Sequence, residues 1–473
     1  MEIFIVSVFI LGYLAITLEH SLKVDKLVPS LLMMALAWAG VAFGLDQFTM
    51  WFNSETHQLM DITGVGHEDR LETMEGTLLH HFGKTCEILI FLTRAMTIVE
   101  IIDHFHGFST IKSFIKTNKK STLLWIVAAL AFTLSAIIDN LTATIVLITI
   151  LRKLLRKKED RIWFAGIIII TANAGGAWSP IGDVTTTMLW MGGKVTAENL
   201  FLNLIIPSMI CAFVPTLIAS FSKAFKGNFD LPEDIGTTNT KGPFMLYLGL
   251  AMIVFVPVFK TITHLPPYLG MMLSLGIVAL FAETISARQF KMSYLGVVNK
   301  DKQQEYIDTA EKPKPEPVPV PSHPESPTFR ALTKIEMPSI LFFLGILMTV
   351  AALESLGLVF NFGQSVQESM HDDVFVMLMG LGSAVIDNVP LVAASMGMFD
   401  VTNPDYSIDT HIWHFIAYAA GTGGSMLIIG SAAGVVAMGM EKISFFWYLK
   451  KISWLALVGY IAGAAAYLLI NPL

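Results

Sequence analysis

Two aspartate-asparagine pairs lie in the middle of long apolar segments of this sequence. Asp139-Asn140 falls inside 121–151, and Asp387-Asn388 falls inside 373–399. A carboxylate at the centre of a membrane is costly and normally faces a cavity or a partner. Carboxylate and amide oxygens are suitable ligands for hard cations such as Na⁺. The two pairs therefore predict sites for ion and proton chemistry.

Two other apolar segments are interrupted by glycines and polar residues. Segment 162–191 contains NAGGAWSPIGD at 173–183, and segment 411–440 contains AGTGGSMLIIGS at 420–431. Glycine pairs and proline break the helical hydrogen-bond ladder and free backbone carbonyls. We predict a discontinuous spanning helix in each segment.

These four interruptions supply the candidate ion-binding and proton-coupling residues. Asp183 occupies the position at which the second half has Ser431, so we expect the main coupling site in the first half. Five candidates are the predicted Na⁺ ligands, namely Asp139, Asn140, Asp183, Asp387 and Asn388. The full set is Asp139, Asn140, Thr142, Asn173, Ser179, Asp183, Thr185, Thr186, Ser383, Asp387, Asn388, Thr422, Ser425 and Ser431.

One carboxylate can serve a cation and a proton in turn. Burial away from water favours the protonated acid, and a bound cation favours the ionised form. This competition is enough for antiport, provided that the empty charged carrier does not cross. Structural roles stay open: the aspartates can cap half-helices, and the hydroxyls can bond to their own helix backbone.

The composition requires a membrane around these segments. The 473 residues are 54% apolar and 15% charged, whereas soluble domains carry about 25% charge. Several uncharged stretches reach the roughly twenty residues that span a bilayer, and 1–19 reads as a retained first helix. The net charge of −7 does not suggest a nucleic-acid partner, and Cys86 and Cys211, inside apolar segments, imply no disulfide framework.

The two Asp-Asn segments are too long for one span and too short for two. A re-entrant helical hairpin explains the length and the buried acid together. Basic clusters at 112–120 and 152–161 flank the first segment, and a hairpin keeps both in the cytoplasm. We predict an all-α polytopic membrane protein with about ten full spans, two hairpins and both termini outside.

The sequence also contains an internal repeat. SAIIDN at 135–140 matches SAVIDN at 383–388, an offset of 248 that also pairs Gly175-Gly176 with Gly423-Gly424. Because the charge pattern opens the hairpins to opposite sides, the repeats are predicted to be inverted, as in many secondary transporters. The predicted repeats are 1–222 and 243–473, joined by a cytoplasmic connection at 223–242. The second is interrupted at 288–336 by a charged, proline-rich segment predicted to be a disordered cytoplasmic linker.

Other polar residues lie in or beside the apolar segments. Arg94 can neutralise an aspartate at the site or pair with Glu87, and Glu354 is expected to be solvated near a helix end. The histidines of the 46–83 loop are consistent with interfacial anchors or with a pH sensor.

The sequence argues against an enzyme. HExxH, CxxC, Walker and GxSxG motifs are not present, so hydrolytic and ATP-driven chemistry have no support, and no cofactor is expected. The residues around the two aspartates, Ile-Asp at 138–139 and 386–387, also differ from the motifs of intramembrane aspartyl proteases. A passive channel is not tested by sequence.

With these motifs, the chain resembles the NhaD-type Na⁺/H⁺ antiporters of the ion transporter superfamily over nearly its whole length. The resemblance implies exchange of cytoplasmic Na⁺ or Li⁺ for external protons across a bacterial inner membrane. In that membrane the charge pattern predicts that both termini are periplasmic. It further implies a homodimer in membrane lipid, working by an elevator-type movement. The resemblance assigns ion-binding or proton-coupling roles to nine of the candidates: Asp139, Asn140, Asn173, Asp183, Thr185, Thr186, Ser383, Asp387 and Asn388. The long proline-rich linker is a departure from the family pattern.

Two other substrates remain alternatives within that superfamily. Dicarboxylate carriers resemble Ser-Asn-Thr at the hairpin tips, whereas both tips here carry an aspartate that repels a dianion. Arsenite export is harder to distinguish, because those transporters share much of the layout.

Overall fold

The computed structural model describes residues 1–53, 58–112, 115–229, 241–305, 326–399 and 403–471. The helices before residue 230 are α1 (Glu2–Thr17), α2 (Glu19–Leu22), α3 (Leu27–Phe43), α4 (His67–His104), α5 (Ser109–Lys112), α6 (Lys120–Ile138), α7 (Asn140–Leu154), α8 (Lys158–Gly176), α9 (Val184–Met191) and α10 (Ala197–Ser220). A short antiparallel hairpin of β1 (Met50–Asn53) and β2 (Gln58–Asp61) precedes α4.

The rest of the described chain is also helical. Its helices are α11 (Gly242–Thr263), α12 (Pro267–Glu305), α13 (Pro327–Thr333), α14 (Met337–Ser355), α15 (Leu358–Ser369), α16 (Asp372–Gly382), α17 (Asn388–Met398), α18 (His411–Gly423), α19 (Ala432–Glu441), α20 (Phe445–Lys451) and α21 (Ser453–Ile470). Six helical stretches in the described part of the chain are long and apolar enough to cross a membrane. The predicted all-α membrane fold is confirmed.

The chain forms two compact units. The first contains Met1–Leu92, Lys112–Gly236 and Glu336–Leu473, and it holds both hairpins and both broken helices. The second contains Thr93–Ile111 and Thr237–Ile335, in which α11 packs against α12. Both predicted repeats contribute to each unit, and the repeat boundaries at 222 and 243 stay a prediction.

The first re-entrant hairpin consists of α6 and α7, whose outer ends lie together. Lys120 at the start of α6 pairs with Asp160 in the first turn of α8, at 2.6 Å. Arg152 near the end of α7 and Arg161 in α8 both bind the buried carboxylate of Glu441, at 2.7 and 2.9 Å. Both arms of the hairpin therefore return to one end of α8, here named the Arg161 end.

The second hairpin, α16 and α17, opens at the start of α18. His411 bonds to Asp373 of α16 at 2.8 Å, and the rings of Phe399 and Trp413 bring the end of α17 to the same place. This end of the molecule is here named the His411 end. The broken helix α18–α19 starts there and finishes with Glu441 at the Arg161 end.

The other broken helix, α8–α9, runs in the opposite direction. It begins at the Arg161 end, and the loop after it brings the Lys194 carbonyl to the backbone N–H of Asp409, beside the start of α18. The two broken helices are therefore antiparallel, and the two hairpins open to opposite ends. This is the geometry that an inverted repeat requires.

Several segments differ from the expectation or fall outside the described residues. The loop at 46–83 contains the β-hairpin and the start of α4, and α15 lies just before the predicted hairpin segment 373–399. Helix α12 continues to Glu305 and α13 begins at Pro327, so both ends of the predicted linker at 288–336 are helical. Residues 306–325 of that linker, and 230–240 of the predicted connection, lie outside the described residues.

Candidate functional site

Four breaks in helical structure meet inside the first unit. They are the hairpin tips at Asp139 and 383–387 and the helix breaks at 177–183 and 424–431. Asn140, at the first tip, contacts Asn173, which follows Asp160 by 13 residues along α8. At 1.5 Å per residue that tip lies roughly 20 Å from the Arg161 end, well within a bilayer.

Each hairpin tip is fixed to a broken helix by the same contact. Ser135 Oγ donates to the Ala172 carbonyl at 2.5 Å, and Ser383 Oγ donates to the Ala420 carbonyl at 2.9 Å. Both partners are separated by the offset of 248 that the sequence repeat shows. These two hydrogen bonds therefore occupy equivalent positions in the sequence repeat.

A chain of neutral polar side chains joins the first tip to both broken helices. Asn140 Nδ2 donates to Asn173 Oδ1 at 3.0 Å, and Asn173 Nδ2 donates to Ser431 Oγ at 3.1 Å. All three side chains are buried. Ser431 also caps α19 by accepting from the Gly434 N–H, so this predicted ligand has a structural partner as well.

Asp183 belongs to the first half of the sequence but contacts the tip of the second. Its Oδ2 accepts a 3.0 Å hydrogen bond from Asn388 Nδ2, and both residues are at most 5% exposed. Among the described residues, the Asp183 side chain makes no capping bond to α9 and has no basic partner. The first half thus supplies this carboxylate, and the second half supplies its hydrogen-bond donor.

Asp139 does cap a helix, as the structural alternative allowed. Its Oδ1 accepts from the Thr142 N–H at 2.8 Å, and its Oδ2 accepts from the Thr142 hydroxyl at 2.9 Å. The backbone at Asp139 has a φ of 76°, in the region that non-glycine residues avoid. The structure therefore holds this residue in an unfavourable conformation between the two hairpin arms.

Asp387 has a basic partner that sequence reasoning missed. Lys26, immediately before α3, places Nζ 3.2 Å from Asp387 Oδ2 and lies over the Phe342 ring at 4.4 Å from its centroid. The two residues are 361 positions apart, and Lys26 stands at the edge of its apolar segment. No local signal in the sequence distinguishes it from an ordinary lysine at the end of an apolar segment.

The predicted hydroxyl ligands divide into two groups. One group bonds to the backbone of its own broken helix, which is the structural alternative. It contains the hydroxyls of Thr186, Thr422 and Ser425, which donate to the carbonyls of Asp183, Tyr418 and Thr422 respectively. Thr185 Oγ1 is buried and has no hydrogen-bond partner in the part of the chain that the structure describes. Thr185 follows Asp183 by two residues, so this hydroxyl lies in the first turn of α9. Ser179 lies within the first break and accepts from the Ile181 N–H.

Two cavities approach the tips from opposite ends. One, of about 250 Å³, is lined by Lys26, Glu336 and Asp387 and extends along α19 toward the Arg161 end. The other, of about 220 Å³, lies near Lys194 at the His411 end and is lined by Glu354. Glu354, expected to be solvated near a helix end, is half-buried one residue before the end of α14 and lines this cavity.

An apolar cluster lies between the tips and the second cavity. It consists of Ile88, Met188, Leu347, Val350, Val389 and Ala393, with Val184 packed against it. Val389 and Val184 are the neighbours of Asn388 and Asp183, while Met188, Leu347 and Val350 also line the cavity. This cluster, here named the apolar seal, separates the buried carboxylate from the His411 end.

Fold and site together define a multi-pass membrane transporter with acidic and amide groups at opposed hairpin tips. No group of three histidine, cysteine or acidic side chains suited to a resident metal occurs within the described ranges.

Comparisons with known proteins give the family. The model of the citrate transporter family CitMHS matches residues 13–415. The chain is similar to sodium/proton antiporters 1 and 2 of Arabidopsis thaliana, with 38% and 34% identity over 98% of this chain and 72% and 98% of those proteins. It is 30% identical to the Na⁺/H⁺ antiporter NhaD of Alkalimonas amylolytica, covering 98% of this chain and 90% of that protein. The chain therefore belongs to the CitMHS transporters by its family model and to the NhaD-type antiporters by its relatives, and it is not an enzyme.

A solved structure supports the fold. The YdaH transporter of Alcanivorax borkumensis superposes with a TM-score of 0.56 over 92% of this chain and 96% of that chain. The sequence identity is 11%, so the likeness concerns the fold alone.

Proposed function

We propose that this protein exchanges cytoplasmic Na⁺ or Li⁺ for external protons, with Asp183 as the principal shared carboxylate. The observation that carries the proposal is the environment of Asp183, a buried acid bonded to a neutral amide. A buried carboxylate without a basic partner is stable when it holds a proton or a cation. The names of the relatives, sodium/proton antiporters, support this choice of ions.

The remaining ligands come from both halves. Asn388 bonds to Asp183 through its amide hydrogen, which leaves Asn388 Oδ1 free for a cation, and Thr185 Oγ1 lies two residues after Asp183. Asp139 supplies a second carboxylate at the first tip. We assign it a proton-coupling role together with Asn140 and Asn173.

Alternating access follows from the two cavities and the apolar seal. In this conformation the cavity at Lys26 reaches the tips, while the apolar seal closes the other side. An elevator-type movement of the hairpins and broken helices would carry the site across the membrane. We propose that the protein does this as a homodimer in a bacterial inner membrane, with both termini periplasmic.

Citrate transport is the second candidate, since the family model carries that description. The charges around the tips argue against it. Asp139, Asp183 and Asp387 give three acids, and Lys26 beside the second tip is already paired with Asp387. A citrate anion would meet net negative charge at close range.

The test is proton movement in inverted membrane vesicles carrying the protein, followed by acridine-orange fluorescence. Na⁺ or Li⁺ should dequench the dye, whereas citrate and arsenite should not. Asp183→Asn should abolish the response, and Asp46→Asn is the matched control, because Asp46 is exposed and pairs with His67. Dequenching by citrate, or a full Na⁺ response in Asp183→Asn, would overturn the proposal.

A further inference from the structure

We propose that Lys26 is a tethered counter-cation that occupies the second hairpin tip and thereby sets the affinity of the site for Na⁺. The inference rests on the proposed antiport function and adds a specificity-determining residue to it. Its basis is the 3.2 Å contact between Lys26 Nζ and Asp387 Oδ2, next to the residue that bonds Asp183.

The position of Lys26 resembles that of a bound cation. Its ammonium group lies on a carboxylate oxygen at the tip and faces the ring of Phe342, which is 1% exposed. A lysine ammonium is a compact point charge on a flexible stem, so it can substitute for a monovalent ion. Asp387 immediately precedes Asn388, whose amide bonds to Asp183, so both carboxylates belong to the contact at this tip. Charge at Asp387 therefore affects what binds at Asp183.

The ammonium group also has room to leave. The Lys26 side chain is 27% exposed and that of Asp387 is 18% exposed, and both line the cavity of about 250 Å³. Glu336 lines the same cavity and offers another carboxylate to a displaced ammonium. A partly solvated pair is held less tightly than a dry one, since water screens both charges.

The Lys26–Asp387 pair gives the two acids at the second tip different charge partners. Asp387 is neutralised by a residue of the chain, whereas Asp183 is left for the transported ion or proton. With Lys26 in place, a single Na⁺ meets one uncompensated carboxylate there rather than two. Loss of Lys26 would turn the tip into a two-carboxylate site of higher cation affinity.

Na⁺ binding to purified full-length protein, measured by titration calorimetry, tests this inference in a double-mutant cycle. Lys26→Met should tighten Na⁺ binding about three- to tenfold, as removal of a nearby positive charge predicts. Asp387→Asn should weaken it by a similar factor, because the freed ammonium then faces Asp183. The double variant should return to within about threefold of the wild type. Lys23→Met is the matched control, because Lys23 is exposed in the same loop.

The outcomes separate the two proposals. Wild-type protein that binds no Na⁺ would overturn the antiport proposal and this inference together. If the wild type binds Na⁺ and a folded Lys26→Met variant binds it with equal or lower affinity, only the role of Lys26 would be overturned. If Lys26→Met does not fold, the double variant carries the test: it must bind Na⁺ more tightly than Asp387→Asn, and equal affinities would overturn the inference.

Discussion

Asn388 at the tip of the second hairpin donates a 3.0 Å hydrogen bond to Asp183. Asp183 immediately precedes α9, the second part of the first broken helix. The contact spans 205 residues and joins the two halves at a buried carboxylate. Because the partner of the acid is a neutral amide, a cation or proton must provide the charge balance. The site is therefore assembled only when both halves are in place.

Replacement of Asp183 by asparagine should separate transport from stability. Asparagine keeps an oxygen that accepts from Asn388, so the packing is retained while the charge is lost. We expect Na⁺-dependent proton movement to fall by at least about 100-fold, because the buried site loses a charged ligand. The thermal unfolding midpoint should be unchanged or higher. Vesicle assays and unfolding in detergent measure the two effects. A variant that loses transport because it no longer folds would contradict the prediction.

The bridge at Asn173 predicts a different result. Asn173→Ala removes partners from two buried groups, Asn140 and Ser431, at a cost of about 1–3 kcal/mol for each group left unpaired. We expect both a lower unfolding midpoint and reduced transport. Asn203→Ala is the matched control, because the Asn203 amide bonds to the backbone of its own helix. Equal midpoints for the two variants would show that the bridge does not hold the tip.

The apolar seal predicts that a polar substitution within it causes leakage. Val350→Asn places an amide, at a cost of about 1–3 kcal/mol, between the site and the cavity at the His411 end. Water that solvates this amide would connect the two compartments. We therefore expect Na⁺ to leave preloaded vesicles without a proton gradient. Ile340→Asn, on the same helix but outside the cluster and both cavities, should reduce stability without a leak. A leak from both variants would contradict the role of the seal.

Much of this architecture could be predicted from the sequence because its signals are local. The Asp-Asn pairs in over-long apolar segments predicted the hairpins, and the Gly-Gly sequences predicted the broken helices. The equivalent bonds of Ser135 and Ser383 follow from the repeated hexapeptides. Each of these features is determined within about fifty residues.

The long-range pairs could not be predicted in the same way. Lys26 reaches Asp387 and Asp183 reaches Asn388 because separate elements pack together, and no spacing in the chain encodes such contacts. Helix α15 also went unpredicted, although its buried residues Val359, Gly363 and Val366 follow the spacing of one helix face. Packing of separate elements, rather than a local pattern, determines the two long-range contacts.

The glycines at the two crossings allow the repeat itself to be tested. A Cβ on Gly175 would lie 2.2 Å from the Phe132 carbonyl oxygen, and one on Gly423 would lie 2.0 Å from that of Gly380. Neither oxygen can withdraw, because each belongs to the backbone of a hairpin arm. We expect Gly175→Ala and Gly423→Ala to lose the folded protein to a similar extent, seen as loss of the monodisperse peak in fluorescence-detected size-exclusion chromatography. Gly439→Ala is the control, since its Cβ meets open space and alanine favours a helix by up to about 1 kcal/mol. If Gly423→Ala were as stable as that control while Gly175→Ala was lost, the two crossings would not be equivalent. The repeat would then be a feature of the sequence and not of the packing.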